Sequence, residues 1–209
     1  MDKDKLIDVK QRFSVWCAST AARASRNCRF TGEQGAEIAL NSSLLDYQTL
    51  DDLPDPLEFD NLHKKLRQKI CLAAENTIKN KTMQFTHGVA AKFINIYFKA
   101  MFLNDVPAEH SDYENKINAL HPPIDRLLLQ KLAEKNVGGL RNFWQWNVFI
   151  GWSNFSSDDY EDVIRHIKDV TKGHLWEIEE FWPGFNKTKK VTNNPTLPFY
   201  ETKTQNNVP

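Results

Sequence analysis

Apolar residues recur along this chain at helical spacing, and no stretch alternates strictly enough to read as a half-buried strand. Leu6, Val9, Phe13, Trp16 and Cys17 place a helix over 4–26. Thr31 with Gln34 three residues on is a capping-box pattern, opening a second helix that runs to about Tyr47. Leu53-Pro54-Asp55-Pro56 reads as loop, because two prolines break either regular structure. Asp60 can cap a helix over 61–77, and Asn80-Lys81-Thr82 makes a polar turn. Val89, Phe93, Ile96, Tyr97 and Ala100 then share one face of a helix over 88–103. Residues 104–120 are polar and read as irregular. Pro122-Pro123 suit the first turn of a helix through about Glu134, and Gly138-Gly139 end that segment. Aromatic residues crowd 143–155, Ser157 caps a helix to Thr171 stopped by Gly173, and a last helix lies near 175–182. The expected fold is all-α: one helical domain over 1–185 and a flexible polar tail over 186–209.

Composition agrees with that reading and adds one complication. A chain of 209 residues, 41% hydrophobic, can bury a core of its own. Its 27 basic and 27 acidic side chains cancel, which argues against a polybasic nucleic-acid binder. The cancellation, however, is between blocks. Residues 9–32 carry five bases and no acid, 33–60 eight acids and no base, and 61–104 eight bases against Glu75 alone. Either the blocks neutralise one another as solvated faces, or 61–104 forms a basic surface with an acidic back. Cys17, Cys28 and Cys71 are too few and too scattered for a disulfide framework, a zinc ribbon or a four-cysteine iron–sulfur cluster. With no apolar leader and no membrane-length apolar run, a soluble cytoplasmic protein is expected, with no membrane partner.

Most catalytic signatures are missing: no phosphate-binding glycine loop, no nucleophile elbow, no H-E-x-x-H. The six histidines show no ligand spacing, so neither a metal nor any other cofactor is expected. What remains is Phe85-Thr86-His87-Gly88-Val89-Ala90-Ala91-Lys92 leading into an apolar helix, then a proline-led loop ending in Pro123-Ile124-Asp125. Glycine at a helix start can aim backbone N–H groups at a phosphate. Lys92 by itself is ordinarily a solvated lysine, and Asp125 ordinarily a helix-start carboxylate.

This ordered set resembles the helix-hairpin-helix superfamily of DNA glycosylases, which includes 8-oxoguanine DNA glycosylase and endonuclease III. There the hairpin reads roughly L-P-G-V-G-x-K, with P-V-D or V-D downstream. Gly88, Val89 and Lys92 match the hairpin, and Pro123-Ile124-Asp125 matches the second motif. Thr86-His87 stand in place of L-P, Ala90 in place of the second glycine, and 33 residues separate Lys92 from Asp125, more than in compact members. The resemblance covers about residues 60–135. It implies a helix-hairpin-helix motif, two lobes flanking a cleft, and a DNA partner. It also implies that Asp125 stabilises charge developing at a deoxyribose C1′ as the base departs, leaving an abasic site, and that Lys92 can attack C1′, with strand nicking by β-elimination then open to the enzyme as the bifunctional alternative. His87, Gly88, Ala90, Lys79 and Lys81 would hold the DNA backbone, with a capping role for His87 as the alternative.

An extruded base needs a stacking pocket. Trp16, Phe13 and Trp152 are candidates among the aromatics, for which core packing is the ordinary fate. His121, just before the proline run, either touches substrate or stiffens the loop; Arg126 holds Asp125 or reaches a phosphate. The leading expectation is an enzyme that excises a damaged or modified base, in repair of the cell's DNA or in antiviral defence against modified foreign (phage) DNA. A non-catalytic DNA-binding module and a helical protein-interaction subunit are the alternatives.

Overall fold

A computed structural model describes residues 2–25, 28–79, 84–103 and 111–183 of the chain. Among these the protein is all-α, with no strand. Its helices are α1 (Lys3–Ala22), α2 (Gly32–Asn41), α3 (Phe59–Thr77), α4 (His87–Phe102), α5 (Ser111–Ala119), α6 (Arg126–Glu134), α7 (Arg141–Ile150) and α8 (Ser157–Thr171), joined by loops and short 3-10 turns. The expected Asn80-Lys81-Thr82 turn and the tail over 186–209 lie outside the described residues.

Local chemistry sets most of the boundaries. Thr31 and Gln34 form the capping box, each side chain bonded to the other's backbone N–H. The second helix stops at Asn41, short of the expected Tyr47, because Ser43 adopts a left-handed backbone (φ 62°) and the chain continues as a 3-10 turn over Leu44–Asp46. Asp55 caps a 3-10 turn over Pro56–Glu58 that runs straight into α3. Asp60 is therefore free of capping and pairs instead with His121 and Lys168. Ser156, not Ser157, caps α8 through a box with Asp159, and the expected last helix is a 3-10 segment, Leu175–Phe181.

Two further expectations are corrected. Residues 111–119 are helical, because Tyr113, Ile117 and Leu120 recur at helical spacing and turn toward the core. The helix expected from Pro122-Pro123 instead begins at Arg126. His121 and Pro122 each precede a proline, which disfavours helical backbone, and the first residue able to cap is Asp125. Its extended backbone (φ −144°, ψ 175°) and its carboxylate, which accepts the Leu128 N–H at 2.9 Å, make it the N-cap of α6.

The buried apolar residues gather in one cluster that draws on segments from Val15 to Ile178. At its middle lies α4, with twelve of its sixteen residues buried. The small inner face of α1 (Ser14, Ala18, Ser19, Ala22) lets that helix lie close along α4. α3 and α8 close further sides, and α6 packs against α7. No described helix is long and apolar enough to cross a membrane.

Neighbouring glycines of α2 test this packing with opposite signs. A Cβ on Gly35 would fall 2.1 Å from Ser19 Oγ on α1, whereas one on Gly32 meets nothing within 4 Å. Gly35→Ala is expected to destabilise by about 1–3 kcal/mol. Gly32→Ala, relieved of glycine's unfolded-state entropy, should be neutral or stabilising by up to about 1 kcal/mol. Urea unfolding midpoints check both.

Candidate active site

The start of α4 is held from within. Thr86 caps it, accepting the Val89 N–H and donating to the Ser153 carbonyl at 2.8 Å. The Gly88 N–H donates to the Phe155 carbonyl at 3.2 Å, and that of Ala90 to the Thr86 carbonyl at 2.9 Å. A Cβ on Gly88 would sit 1.8 Å from the Trp152 carbonyl oxygen. Glycine is therefore required here so that the 3-10 turn Trp152–Asn154 can press onto α4. This corrects the expectation that Gly88 and Ala90 grip DNA phosphate: both are buried and their N–H groups are already bonded. His87 is half-buried. Burial, reinforced by the charges of Arg67 and Lys64, lowers its pKa, so at neutral pH it is an uncharged and poor phosphate ligand. Lys79 is exposed just beyond α3; Lys81 lies outside the described residues.

Lys92, in the second turn of α4, meets Asp125 at the cap of α6. The Lys92 Nζ is 3.5 Å from Asp125 Oδ2 and 4.5 Å from the centre of the Trp152 ring, which lies over it. The two side chains keep only 10% and 13% of their surface exposed. Asp125 divides its oxygens: Oδ1 accepts from the helix it caps, and Oδ2 faces the amine. Burial lowers the Lys92 pKa, and the adjacent Asp125 works against that shift without cancelling it. Sequence reading named both residues, and the fold brings them together.

The other candidates separate. Phe13 and Trp16 stand 57% and 60% exposed on the outer face of α1, leaning on each other with ring centres 6.0 Å apart. Trp152 is buried, its ring committed to Lys92. His121 is buried too, bonded to Tyr160 and Asp60 and packed against the His63 ring, which corrects its assignment to a base pocket. Arg126 is exposed.

The basic block over 61–104 does not form a uniform basic face. Lys64 and Arg67 pair with Glu161, Lys99 with Glu179 and Lys92 with Asp125, all acids from later in the chain. Sequence reading missed Thr86 and Asn95. The signal for Asn95 was present: it is a lone amide within the otherwise apolar middle of α4. Among the described residues no cluster of His, Cys, Asp or Glu is arranged to hold a metal ion. Comparison of the chain with models of known families, with curated proteins and with solved structures finds no match.

The sign of the Lys92 shift yields a stability prediction. A folded-state pKa below the ordinary 10.5 means that the unfolded chain binds the proton more tightly. Between the lowered value and 10.5 the unfolded state holds more protons, so stability from this group rises with pH. The wild-type protein should therefore gain stability relative to Lys92→Met as pH climbs from 7 toward 10, measured as the difference in urea midpoints.

Proposed function

We propose that the chain is a DNA N-glycosylase in which Lys92 and Asp125 are the catalytic residues. The observation that carries this reading is the meeting of the two side chains in a nearly closed setting, with Nζ 3.5 Å from Oδ2. Other ion pairs here are tighter; Lys168 of α8, for example, meets Asp60 of α3 at 2.5 Å. Lys92 meets one carboxylate oxygen, at 3.5 Å, and a ring face.

The chemistry follows from the two groups. With a target nucleotide extruded into this setting, negative charge on Asp125 stabilises positive charge developing at the sugar C1′ as the N-glycosidic bond breaks. The base leaves with the bonding electrons and takes up a proton. The neutral fraction of Lys92, raised by burial, attacks C1′ to give an amine-linked sugar, which opens to a Schiff base. β-Elimination then removes a C2′ proton, forms a C2′=C3′ double bond and breaks the 3′ C–O bond, so that the downstream strand leaves with its 5′-phosphate; alternatively, water takes the place of the amine and leaves an intact abasic site. Trp152 screens the amine from solvent and fixes its direction. Because the helix start is closed and Lys64, Arg67, Lys92 and Lys99 of the basic block are paired, DNA is gripped without a hairpin phosphate site. Non-specific affinity should accordingly be weak and salt-sensitive.

The test is base release from duplexes carrying a panel of oxidised, alkylated and otherwise modified bases, read as abasic sites. Release from at least one substrate is expected, and Asp125→Asn should slow it by about 100- to 1000-fold. No release from any substrate, or an unimpaired Asp125→Asn protein, would refute the proposal.

A further inference from the structure

A buried polar network lies one helical turn from Lys92, and its centre is Asn95. Its Nδ2 donates to the Pro122 carbonyl at 2.7 Å and to the Tyr160 hydroxyl at 3.0 Å. Its Oδ1 accepts from His63 Nε2 at 2.8 Å. From these partners two chains run outward. His63 Nδ1 accepts from Arg67, a guanidinium 1% exposed that also bonds Ser157 and Glu161. Tyr160 donates to His121 Nδ1 at 3.1 Å, and His121 Nε2 donates to Asp60 at 3.0 Å. The hydrogens run in one direction along each chain, so every bonded group in it has a consistent role. Burial lowers the pKa of both histidines, which keeps them neutral and the pattern intact.

We infer that Asn95 is the positioning residue that sets Asp125 against Lys92. In the connection that carries Asp125, the His121 side chain is tied to Tyr160 and Asp60, and the Pro122-Pro123 that follow supply no N–H by which the stretch nearer Asp125 could be tied down. What can be gripped is a carbonyl, and Asn95 grips that of Pro122. Asn95 follows Lys92 by three residues, a rise of about 4.5 Å along the helix. One rigid helix thus holds both the amine and the loop bearing its carboxylate. Tyr160 and His63 in turn hold the Asn95 amide in the orientation that presents its donors to the loop. This reading adds a role to the proposed site and rests on Lys92 and Asp125 acting together.

The test reads the pair directly, without DNA. In the full-length protein labelled with lysine carrying 13C at Cε, the Lys92 resonance is assigned by its loss in Lys92→Arg, and its titration midpoint is followed by NMR. Asp125→Asn removes the neighbouring charge and should lower that midpoint. Asn95→Leu and Asn95→Ala are expected to lower it in the same direction, by at least half as much, because the loop is released. Ile38→Ala, a buried change in α2, should leave it in place and so controls for general loosening. Tyr160→Phe, which frees one Asn95 donor and unties His121 but keeps the ring, should produce a smaller shift of the same sign, and it serves, with His121→Phe leaving the midpoint in place as its control, if the Asn95 variants do not fold. A wild-type midpoint in the Asn95 variants, or in Tyr160→Phe where it stands in for them, overturns the inference; so does an Asp125→Asn protein whose midpoint does not move. On an excised substrate, Asn95→Leu should also lower the single-turnover rate by about 100-fold with DNA affinity nearly unchanged. Absence of base release with the NMR shifts present would refute the glycosylase reading while leaving Asn95 as the positioning residue.

Discussion

Burial of α4 is the constraint on which the remaining structure depends. A helix enclosed on nearly every side can keep a polar side chain only if another segment comes to meet it. α4 carries four such side chains in its body, Lys92, Asn95, Tyr97 and Lys99, and other segments of the chain answer each, Gln11 and Tyr47 that of Tyr97. Asp125 meets Lys92, the Pro122 carbonyl and Tyr160 meet Asn95, and Glu179 meets Lys99. The apolar positions between them fill the core. The same requirement closes the helix start, where the Trp152–Phe155 segment supplies carbonyls to Thr86 and Gly88.

That constraint also gives the proposed site its chemistry. An amine pulled out of water favours its neutral form, while a neighbouring carboxylate favours the charged one, and Lys92 stands between the two. A solvated lysine would be almost wholly protonated near neutrality and unable to attack carbon. Asp125 serves twice, once as the cap that starts α6 and once as the partner of the amine, so its position follows from the backbone of a helix and not from a free side-chain rotamer. Part of the basic block resolves in the same way: Lys64 and Arg67 of α3 find Glu161 of α8, and Lys99 of α4 finds Glu179 of the final 3-10 segment.

Most of the architecture was legible in the sequence because it rests on local chemistry: Thr31 with Gln34, the prolines at 54 and 56, the apolar stripe of α4. The pair at Lys92 and Asp125 was legible only through spacing and resemblance. What was not legible depended on distant partners. Gly88 reads equally well as a phosphate cradle or as a site of close packing, and only the approach of Trp152 decides for packing. Pro122-Pro123 suit a helix start, but each also bars helical backbone in the residue before it, and a better cap lay at Asp125. His121 could not be assigned without Asp60 and Tyr160, which lie 61 and 39 residues away. Exposure was misleading as well: Phe13 and Trp16 follow helical spacing yet face solvent.

The central claim is that Lys92 is an amine placed to attack a sugar carbon. Borohydride reduction during incubation with duplexes containing modified bases or abasic sites, followed by peptide mass spectrometry of any protein–DNA adduct, tests it most directly. The account predicts a reduced adduct on the peptide bearing Lys92, lost in Lys92→Ala. An adduct mapped to another amine, or none on any duplex, would contradict it.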